Sequence, residues 1–267
     1  MLRPWRKTAK GANELSLPIT LRSNTGEPLC EFGADVVNCF RHMLTAQACN
    51  GGLPQSVSVV SSIKGEGVTY TALALATTLA IDTTASVCLV ELNWWSPGLH
   101  KLVSQGANPA QNNARRLGGK ASAFVSPAAP AITQAGLADV LTGSAAIDDV
   151  LIRTELPNLS LIAAGAIPVE RRPVIARSGE LKEQLDELRQ RFDYLILDVP
   201  AILATSDSMA LAALSSACCI VVRQGVTPAN SVKRALDDIK HLNILGVMLN
   251  QTTLKTPRWM LNLIPQE

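Results

Sequence analysis

The chain has 267 residues, of which 47% are hydrophobic and only 17% are charged. This balance excludes a largely disordered protein, because there is enough apolar surface to form one large domain or two small ones. The formal net charge of +2 gives no support for nucleic-acid binding, so we expect no nucleic-acid partner.

Cysteine usage and the apolar runs predict the cellular location. The six cysteines form no CxxC pair and have no metal-ligand spacing with the three histidines, which indicates reduced core thiols. The polar start of the chain does not resemble a signal peptide, and the longest apolar runs are too short or too interrupted to span a bilayer. We expect a cytoplasmic protein for which any contact with the inner face of the membrane comes through a partner or through the tail.

The chain divides into a central domain and two flanking segments. Residues 1–28 are predicted to be a flexible N-terminal extension, whose few basic residues either contact an acidic surface or remain solvated. Residues 29–254 form the predicted domain, and residues 255–267 form a C-terminal tail. A segment rich in Gln, Asn, Ala, Gly, Pro and Ser at about 104–135 is a low-complexity insertion, either disordered or functional.

The first elements of the domain form a phosphate-binding frame. A predicted helix at 33–48 precedes a buried strand at 56–61, a glycine-bearing loop, and an Ala/Leu-rich helix that runs to residue 81. Backbone N–H groups and the positive end of a helix dipole face an anion in such a frame. A loop of the form G-x-x-x-x-G-K-[ST] would have lysine at the position of Val68.

The remaining elements alternate between strand and helix. We predict strands at 85–92, 159–163, 194–199, 217–223 and 246–250, and helices at 136–141, 179–192, 206–214 and 228–242. This alternation predicts an α/β fold of the P-loop NTPase type, with a mostly parallel central sheet and helices on both faces. Ligands bind such sheets at the carboxyl ends of the strands, where we find Glu91, Asn93, Asp198, Arg223 and Asn250.

Asp198 closes an apolar strand after a P-loop-like element, which is the Walker B pattern. An acid in this position holds Mg²⁺ directly or through water. Two nearby residues have alternative, purely structural interpretations. Arg223 caps its strand, and Asp207 caps the N-terminus of the next helix.

Several motifs in order resemble those of bacterial tyrosine autokinases of capsule and exopolysaccharide synthesis. The resemblance is to their cytoplasmic ATPase domain, within the ParA/MinD-like P-loop group, and covers about residues 33–252. The family's S-S-x-P-G-E-G-K-[ST] and V-D-A-D-L-R-R-P-x-L-H motifs correspond to residues 61–69 and 90–100. Its G-L-x-D-V-L, Y-x-I-[IL]-D-x-P-P-x-L, S-D, V-V-R-x-G-x-T-P and L-G-V-x-L-N motifs correspond to 136–141, 194–203, 206–207, 221–228 and 245–250.

The resemblance implies a site for ATP or ADP with Mg²⁺, in weakened form, and no other cofactor. Thr69 and Asp198 are the implied Mg²⁺ ligands, and the candidate catalytic residues are Asp198, Glu91 and Lys64. The implied nucleotide-binding residues are Lys64, Gly65, Glu66, Gly67, Val68, Thr69, Tyr70, Arg223 and Asn250.

The sequence departs from the family pattern at residues that would bind phosphate or act as a base. Val68 replaces the lysine that would neutralise the phosphates, and Lys64 occupies the family's proline position. The Asp-x-Asp of the second motif is Glu91 and Asn93, and asparagine cannot act as a carboxylate base.

Further departures remove the positive charges and tyrosines of the family. The two arginines of the second motif are replaced by Trp95 and Ser96; Trp94 and Trp95 either form a partner-binding face or pack under the insertion. Of the oligomer motif E-x-x-R-x-x-R, only Arg41 remains, and the chain end lacks the tyrosine cluster that these kinases phosphorylate.

Three hypotheses follow. The first is a degenerate, non-catalytic pseudo-kinase that acts as a scaffold or regulatory subunit in exopolysaccharide synthesis or export. The second is an active ATPase or tyrosine kinase that uses Lys64 or a partner's residue. The third is a ParA/MinD-type positioning ATPase, against which the R-x-G-x-T-P and P-x-L-H segments argue. The implied partners are a membrane chain-length-determinant (polysaccharide co-polymerase) protein, an active kinase paralogue, or a second copy in a homodimer.

Overall fold

The computed structural model describes residues 18–99 and 135–251. The N-terminal 17 residues, the predicted insertion apart from Ala135, and the predicted tail 255–267 lie outside this part of the chain.

An N-terminal hairpin precedes the first helix. Strands β1 (Ile19–Arg22) and β2 (Pro28–Phe32) pair antiparallel. Leu21, at 0% exposure, and Phe32 are buried against the domain. The hairpin also pairs with a later segment, because the Arg22 N–H donates to Glu155 Oε1 at 3.1 Å. The folded part of the chain thus begins inside the range 1–28, for which we predict a flexible extension.

The core of the domain is a seven-stranded sheet. Its strands are β3 (Ser56–Ser61), β4 (Val87–Glu91), β5 (Leu151–Arg153), β6 (Leu159–Ile162), β7 (Tyr194–Asp198), β8 (Ala217–Arg223) and β9 (Ile244–Asn250). They lie in the order β5-β6-β4-β7-β3-β8-β9, and every pair is parallel except β5 with β6. The predicted mostly parallel sheet is confirmed, and its elements are found with ends shifted by only a few residues.

Helices cover both faces of the sheet. On one face lie α1 (Ala34–Cys49) and α2 (Val68–Asp82), whose residues 71–80 are all buried, as expected for a helix that is apolar on every side. The other helices are α3 (Leu137–Leu141), α4 (Ile147–Val150), α5 (Arg172–Ile175), α6 (Gly179–Arg191), α7 (Asp207–Ala212) and α8 (Ala229–Ile239). They pack on the opposite face. None of the helices in the two described ranges is long and apolar enough to cross a bilayer.

Four of the cysteines lie in the core. Cys30, Cys88, Cys218 and Cys219 are buried, whereas Cys39 and Cys49 are exposed on α1. Burial raises the pKa of the Cys218 and Cys219 thiols to about 12, so these side chains stay protonated at neutral pH.

The register of the central strands positions the candidate site. Strand β7 lies between β4 and β3, and Asp198 pairs with Glu91 on one side and with Val59 on the other. Because these strands are parallel, their carboxyl ends meet at one edge of the sheet beside the N-terminus of α2.

Candidate functional site: a glycine-loop cleft at the strand ends

The loop between β3 and α2 turns at two glycines. Gly65 and Gly67 have φ angles of 86° and 91°, a left-handed conformation that glycine adopts without steric cost. A Cβ on Gly67 would lie 2.2 Å from Asn250 Nδ2, and that amide donates to the Glu66 carbonyl oxygen at 2.7 Å. The end of β9 therefore lies directly against the loop, and a side chain at residue 67 would need both a strained φ and a shift of the Asn250 amide.

Glu66 is the internal anchor of the loop. Its Oε2 accepts hydrogen bonds from the Ser62 N–H at 2.8 Å, the Ser62 hydroxyl at 3.0 Å and the Ile63 N–H at 3.0 Å. Its Oε1 accepts from the Thr227 hydroxyl and from the Arg223 N–H. The side chain is 2% exposed, so this carboxylate ties the loop to the end of β8 and does not face the cleft.

Val68 is the first residue of α2. Its side chain packs against the apolar cluster on the α1–α2 side of the sheet. It offers no donor and no charge where the resembled family has lysine, and Lys64 is the only basic residue between Ser61 and Tyr70. The first-turn N–H groups of α2 have no intrahelical partners, which leaves them as the donors of this loop.

A cleft of about 390 Å³ opens at the loop, a size typical of small-ligand sites. Its walls are the N-terminus of α2, the segment from Ser96 to Gly98, and the residues that follow β7. A second cavity of about 400 Å³ lies between the hairpin tip and β5, away from the predicted site residues. The predicted residues that line the first cleft are Lys64, Gly65, Gly67, Val68, Thr69 and Tyr70.

Asp198 is a fully buried carboxyl group at the end of β7. Neither of its oxygens has a hydrogen-bond partner among the described residues. Burial, and then the charge of Glu91, raise the pKa of Asp198 to about 8, while the nearby Thr69 hydroxyl acts in the opposite direction. An unpartnered buried carboxylate is costly, so this position favours either a proton or a bound cation.

Thr69 is the second residue of α2, and its side chain lies against the segment that follows β4. A Cβ on Gly98 would lie 2.6 Å from Thr69 Oγ1, so the backbone at residue 98 packs directly against this hydroxyl. Thr69 and Asp198 together supply a hydroxyl and a carboxylate, which are oxygen donors of the type that Mg²⁺ prefers. The Thr69 hydroxyl lies close enough to lower the pKa of Asp198, so the structure places the two residues predicted to bind Mg²⁺ next to each other.

Glu91 is held by the backbone around it. Its Oε1 accepts from the N–H groups of Gly98 and Leu99, the latter at 2.8 Å, and its Oε2 accepts from the Ala164 N–H at 3.1 Å. The residue is fully buried at the end of β4. These three amide contacts give Glu91 a structural role, in which it joins β4 to the segment after β6.

Of the two tryptophans in the segment after β4, Trp94 is buried and Trp95 is partly buried. Trp94 is 2% exposed and its Nε1 donates to the Ala164 carbonyl oxygen at 2.8 Å. Trp95 lies 6.2 Å from it, ring centre to ring centre, and packs against the same core cluster. Packing is thus the observed role of Trp94, and the alternative of a partner-binding face is not supported for it.

Asn93 lines the cleft and its side-chain oxygen accepts a hydrogen bond from the Ser96 N–H at 3.1 Å.

Tyr70 makes a ring contact near the cleft, and the backbone N–H of Arg223 makes hydrogen bonds at the end of β8. The Tyr70 ring lies 5.3 Å from that of Phe32, and burial raises the pKa of its phenol to about 12. The Arg223 N–H donates to Thr227 Oγ1 at 3.1 Å in addition to Glu66.

Two charged residues away from the cleft form ion pairs. Asp207 is the first residue of α7, and its carboxylate contacts Arg177 at 2.6 Å without making a side-chain cap. Arg41, the residue kept from the oligomer motif, binds both carboxylate oxygens of Asp82 within its own chain, with Nε at 2.9 and 3.1 Å.

Sequence reasoning missed two partners of the site. Thr227 contacts Glu66 across 161 positions of sequence, and the Ala164 N–H contacts Glu91 across 73. Thr227 lies within the quoted motif 221–228, which is the signal that points to it. No sequence signal points to a backbone N–H group such as that of Ala164.

Named bacterial tyrosine kinases are among the relatives of this chain. It is 27% identical over 120 residues to the tyrosine-protein kinase ptk of Acinetobacter johnsonii, covering 44% of this chain and 16% of the relative. It is 25% identical over 118 residues to the tyrosine-protein kinase CpsD of Streptococcus agalactiae, covering 43% and 51%. The succinoglycan biosynthesis transport protein ExoP of Rhizobium meliloti is 28% identical over 123 residues, covering 45% and 16%. The matched region spans at most about half the length of these relatives.

Solved structures show the same fold. The kinase domain of the Escherichia coli tyrosine kinase ETK superposes with a TM-score of 0.66 at 18% identity, covering 83% of this chain and 77% of that one. The septum site-determining protein MinD of Pyrococcus horikoshii, complexed with Mg-ADP, gives 0.54 at 19% identity, covering 78% and 76%. A match to the family described as AAA domain extends over residues 56–245, and the chain therefore belongs to this AAA domain family.

Proposed function

We propose that this protein is a degenerate P-loop ATPase that keeps a nucleotide-binding cleft but does not transfer phosphate. In this proposal it acts as a scaffold or regulatory component of exopolysaccharide or capsule synthesis or export. The names of its relatives support this setting, because they are tyrosine kinases and a succinoglycan biosynthesis transport protein.

The residues of the cleft fit a nucleotide with Mg²⁺. The two buried oxygens of Asp198 have no protein partner among the described residues, and the Thr69 hydroxyl lies nearby. The first-turn N–H groups of α2 and the glycines of the loop supply the donors that phosphate needs. When bound, Mg²⁺ would neutralise phosphate charge, and these residues would hold it and orient the phosphates.

The observation that carries the proposal is the place of Val68. Its apolar side chain packs on the core at the first residue of α2, where a charge-assisted hydrogen bond to phosphate would be worth about 1.5–3 kcal/mol. At about 1.4 kcal/mol per tenfold, the loss of this one contact slows phosphate transfer by at least about 10- to 100-fold. Glu91 adds to this loss, because its two oxygens already accept three backbone N–H groups.

One observation favours the alternative of an active tyrosine kinase or ATPase. Lys64 is exposed and lines the cleft, so its ammonium group supplies a positive charge there. The positioning-ATPase alternative rests on the shared fold with MinD, and a shared fold does not establish a shared function.

Self-labelling with γ-labelled ATP and Mg²⁺ separates the scaffold from the kinase. The proposal predicts no more label or released phosphate in the wild-type protein than in an Asp198→Ala control. Turnover or labelling clearly above that control would overturn the non-catalytic assignment. Restoring the lysine with Val68→Lys then shows whether Val68 alone limits the reaction or whether Glu91 and Asn93 limit it too.

The proposed partners are a membrane chain-length-determinant (co-polymerase) protein, an active kinase paralogue, or a second copy of this chain. Arg41 bears on the last of these, because its guanidinium is engaged by Asp82 of the same chain. Co-purification with each partner, compared between wild type and Arg41→Ala, tests whether this residue contributes to assembly.

A further inference from the structure

Strand β9 presents an uncovered apolar face. It is the last strand at one edge of the sheet, with no partner on its outer side among the described residues. Val247 is 47% and Leu249 60% exposed, whereas Met248 between them packs on the α1–α2 side. Alternation along the strand therefore places Val247 and Leu249 together on the opposite face. Exposed apolar side chains on an edge strand favour the addition of another segment.

The chain turns directly after this strand. Gln251 has a φ of 55°, and it is the only non-glycine residue with a positive φ in the described ranges. Its N–H donates to Asn250 Oδ1 at 2.8 Å, a local bond that stabilises such turns. A left-handed residue at the end of a strand takes the chain off the strand axis, which permits a return along β9.

The sequence beyond this turn supplies a matching apolar segment. Residues 259–264 read Trp-Met-Leu-Asn-Leu-Ile, after a mainly polar connection at 252–258. A seven-residue connection reaches up to about 23 Å. The return from Asn250 to Val247 needs only about 10 Å, so the segment can reach the exposed pair.

We infer that residues 259–264 fold back along the edge of β9 and cover Val247 and Leu249. Alternation places Trp259, Leu261 and Leu263 on one side of an extended segment, where they meet the exposed pair. The occupant is this chain's own segment and not a second copy, because a short connection gives it a millimolar effective concentration.

Hydrogen–deuterium exchange of the full chain tests the inference. Amides of residues 259–264 are expected to exchange at least tenfold more slowly than in a synthetic peptide of the same sequence. The double substitution Val247→Ser with Leu249→Ser removes this protection. The reciprocal pair Leu261→Ser with Leu263→Ser speeds exchange in β9, while exchange in β3 stays unchanged and shows that each variant is folded.

The matched control is Val174→Ser, a residue that is 72% exposed on α5, and it leaves the tail protected. Free exchange of residues 259–264 in the wild type would overturn the inference, as would protection that survives the double substitution in β9. Sedimentation velocity over a tenfold concentration range shows whether a second copy of the chain binds to β9 instead. Protection that appears only with a dimer would assign the β9 face to a second copy and also overturn the inference.

Discussion

Three buried acids, Glu66, Glu91 and Asp198, lie behind the residues that line the cleft, and they differ in what their oxygens contact. Glu66 and Glu91 accept several backbone N–H groups each, which fixes the loop and the segment after β4. Asp198 has no hydrogen-bond partner for either oxygen among the described residues. The first two acids therefore hold the shape of the site, and Asp198 is the acid that we propose as the Mg²⁺ ligand.

Replacing Glu66 should cost stability although the residue lies in a loop. Glu66→Ala leaves the buried donors at Ser62 and Ile63 unsatisfied, and such groups cost about 1–3 kcal/mol each. We expect the free energy of unfolding in urea to fall by about 3 kcal/mol. The control Glu170→Ala, at an exposed residue, should change it by less than about 0.5 kcal/mol. Equal effects of the two substitutions would contradict the anchoring role.

The raised pKa of Asp198 predicts a pH-dependent stability. In the unfolded chain the carboxyl group ionises near pH 4, whereas in the folded protein it keeps its proton up to about pH 8. Between these values the unfolded state binds fewer protons, so this group's contribution is complete below pH 4 and is lost as pH rises through 8. Asp198→Asn removes that loss.

The measurement is the melting temperature of wild type and Asp198→Asn, without Mg²⁺, at pH 5 and pH 8.5. From pH 5 to pH 8.5, the melting temperature of the variant relative to that of the wild type should rise by about 2–4 °C or more. A change of about 1 kcal/mol in stability produces a shift of this size in a domain of this length. A difference in melting temperature between the two proteins that stays constant with pH would contradict the raised pKa of Asp198.

At the scale of elements, the hairpin of β1 and β2 is an integral part of the domain. Leu21 is fully buried in the cluster beneath α1 and α2. Leu21→Ala should lower the free energy of unfolding by about 2–5 kcal/mol, the range for leucine-to-alanine substitutions in a core. Val169→Ala, at a residue that is 62% exposed, should change it little. If both substitutions have only a small effect, the hairpin is not part of the stable domain and the flexible extension predicted for residues 1–28 would hold.

The sequence is most informative where elements are long and apolar. The runs at 194–199 and 217–223 predict β7 and β8 almost residue for residue, because buried parallel strands are apolar throughout. Strand β5 has only three residues, which is too short for periodicity to show, and β1 and β2 flank a polar turn.

The site is predicted less completely than the fold. The glycines, Thr69 and Asp198 follow from spacing along the chain, because a loop and a strand end have local signatures. The side chain of Glu66 is held by a hydrogen bond from Thr227, and that of Glu91 by one from the Ala164 N–H. These contacts form only when distant strands come together, so residue type alone does not separate a structural acid from a catalytic one.

The whole molecule has the mostly parallel α/β architecture of the AAA domain family, with valine at the first residue of the helix that follows the glycine loop. The mostly parallel sheet, the glycine loop, Thr69 and Asp198 are present, and the half-buried Val68 packs against the α1–α2 cluster where it also lines the cleft. Lys64 is the one charged residue of the loop that lines the cleft. Whether Lys64 restores the reaction decides between a scaffold and an enzyme.

The most direct test is the rate of phosphate release from ATP with Mg²⁺ by wild type, Lys64→Ala and Asp198→Asn. The account predicts that the three rates agree within about twofold, since the wild type already lacks the group at residue 68. A wild-type rate at least tenfold above both variants, a difference of about 1.4 kcal/mol in the barrier, would show an active enzyme that uses Lys64 and would contradict the central claim.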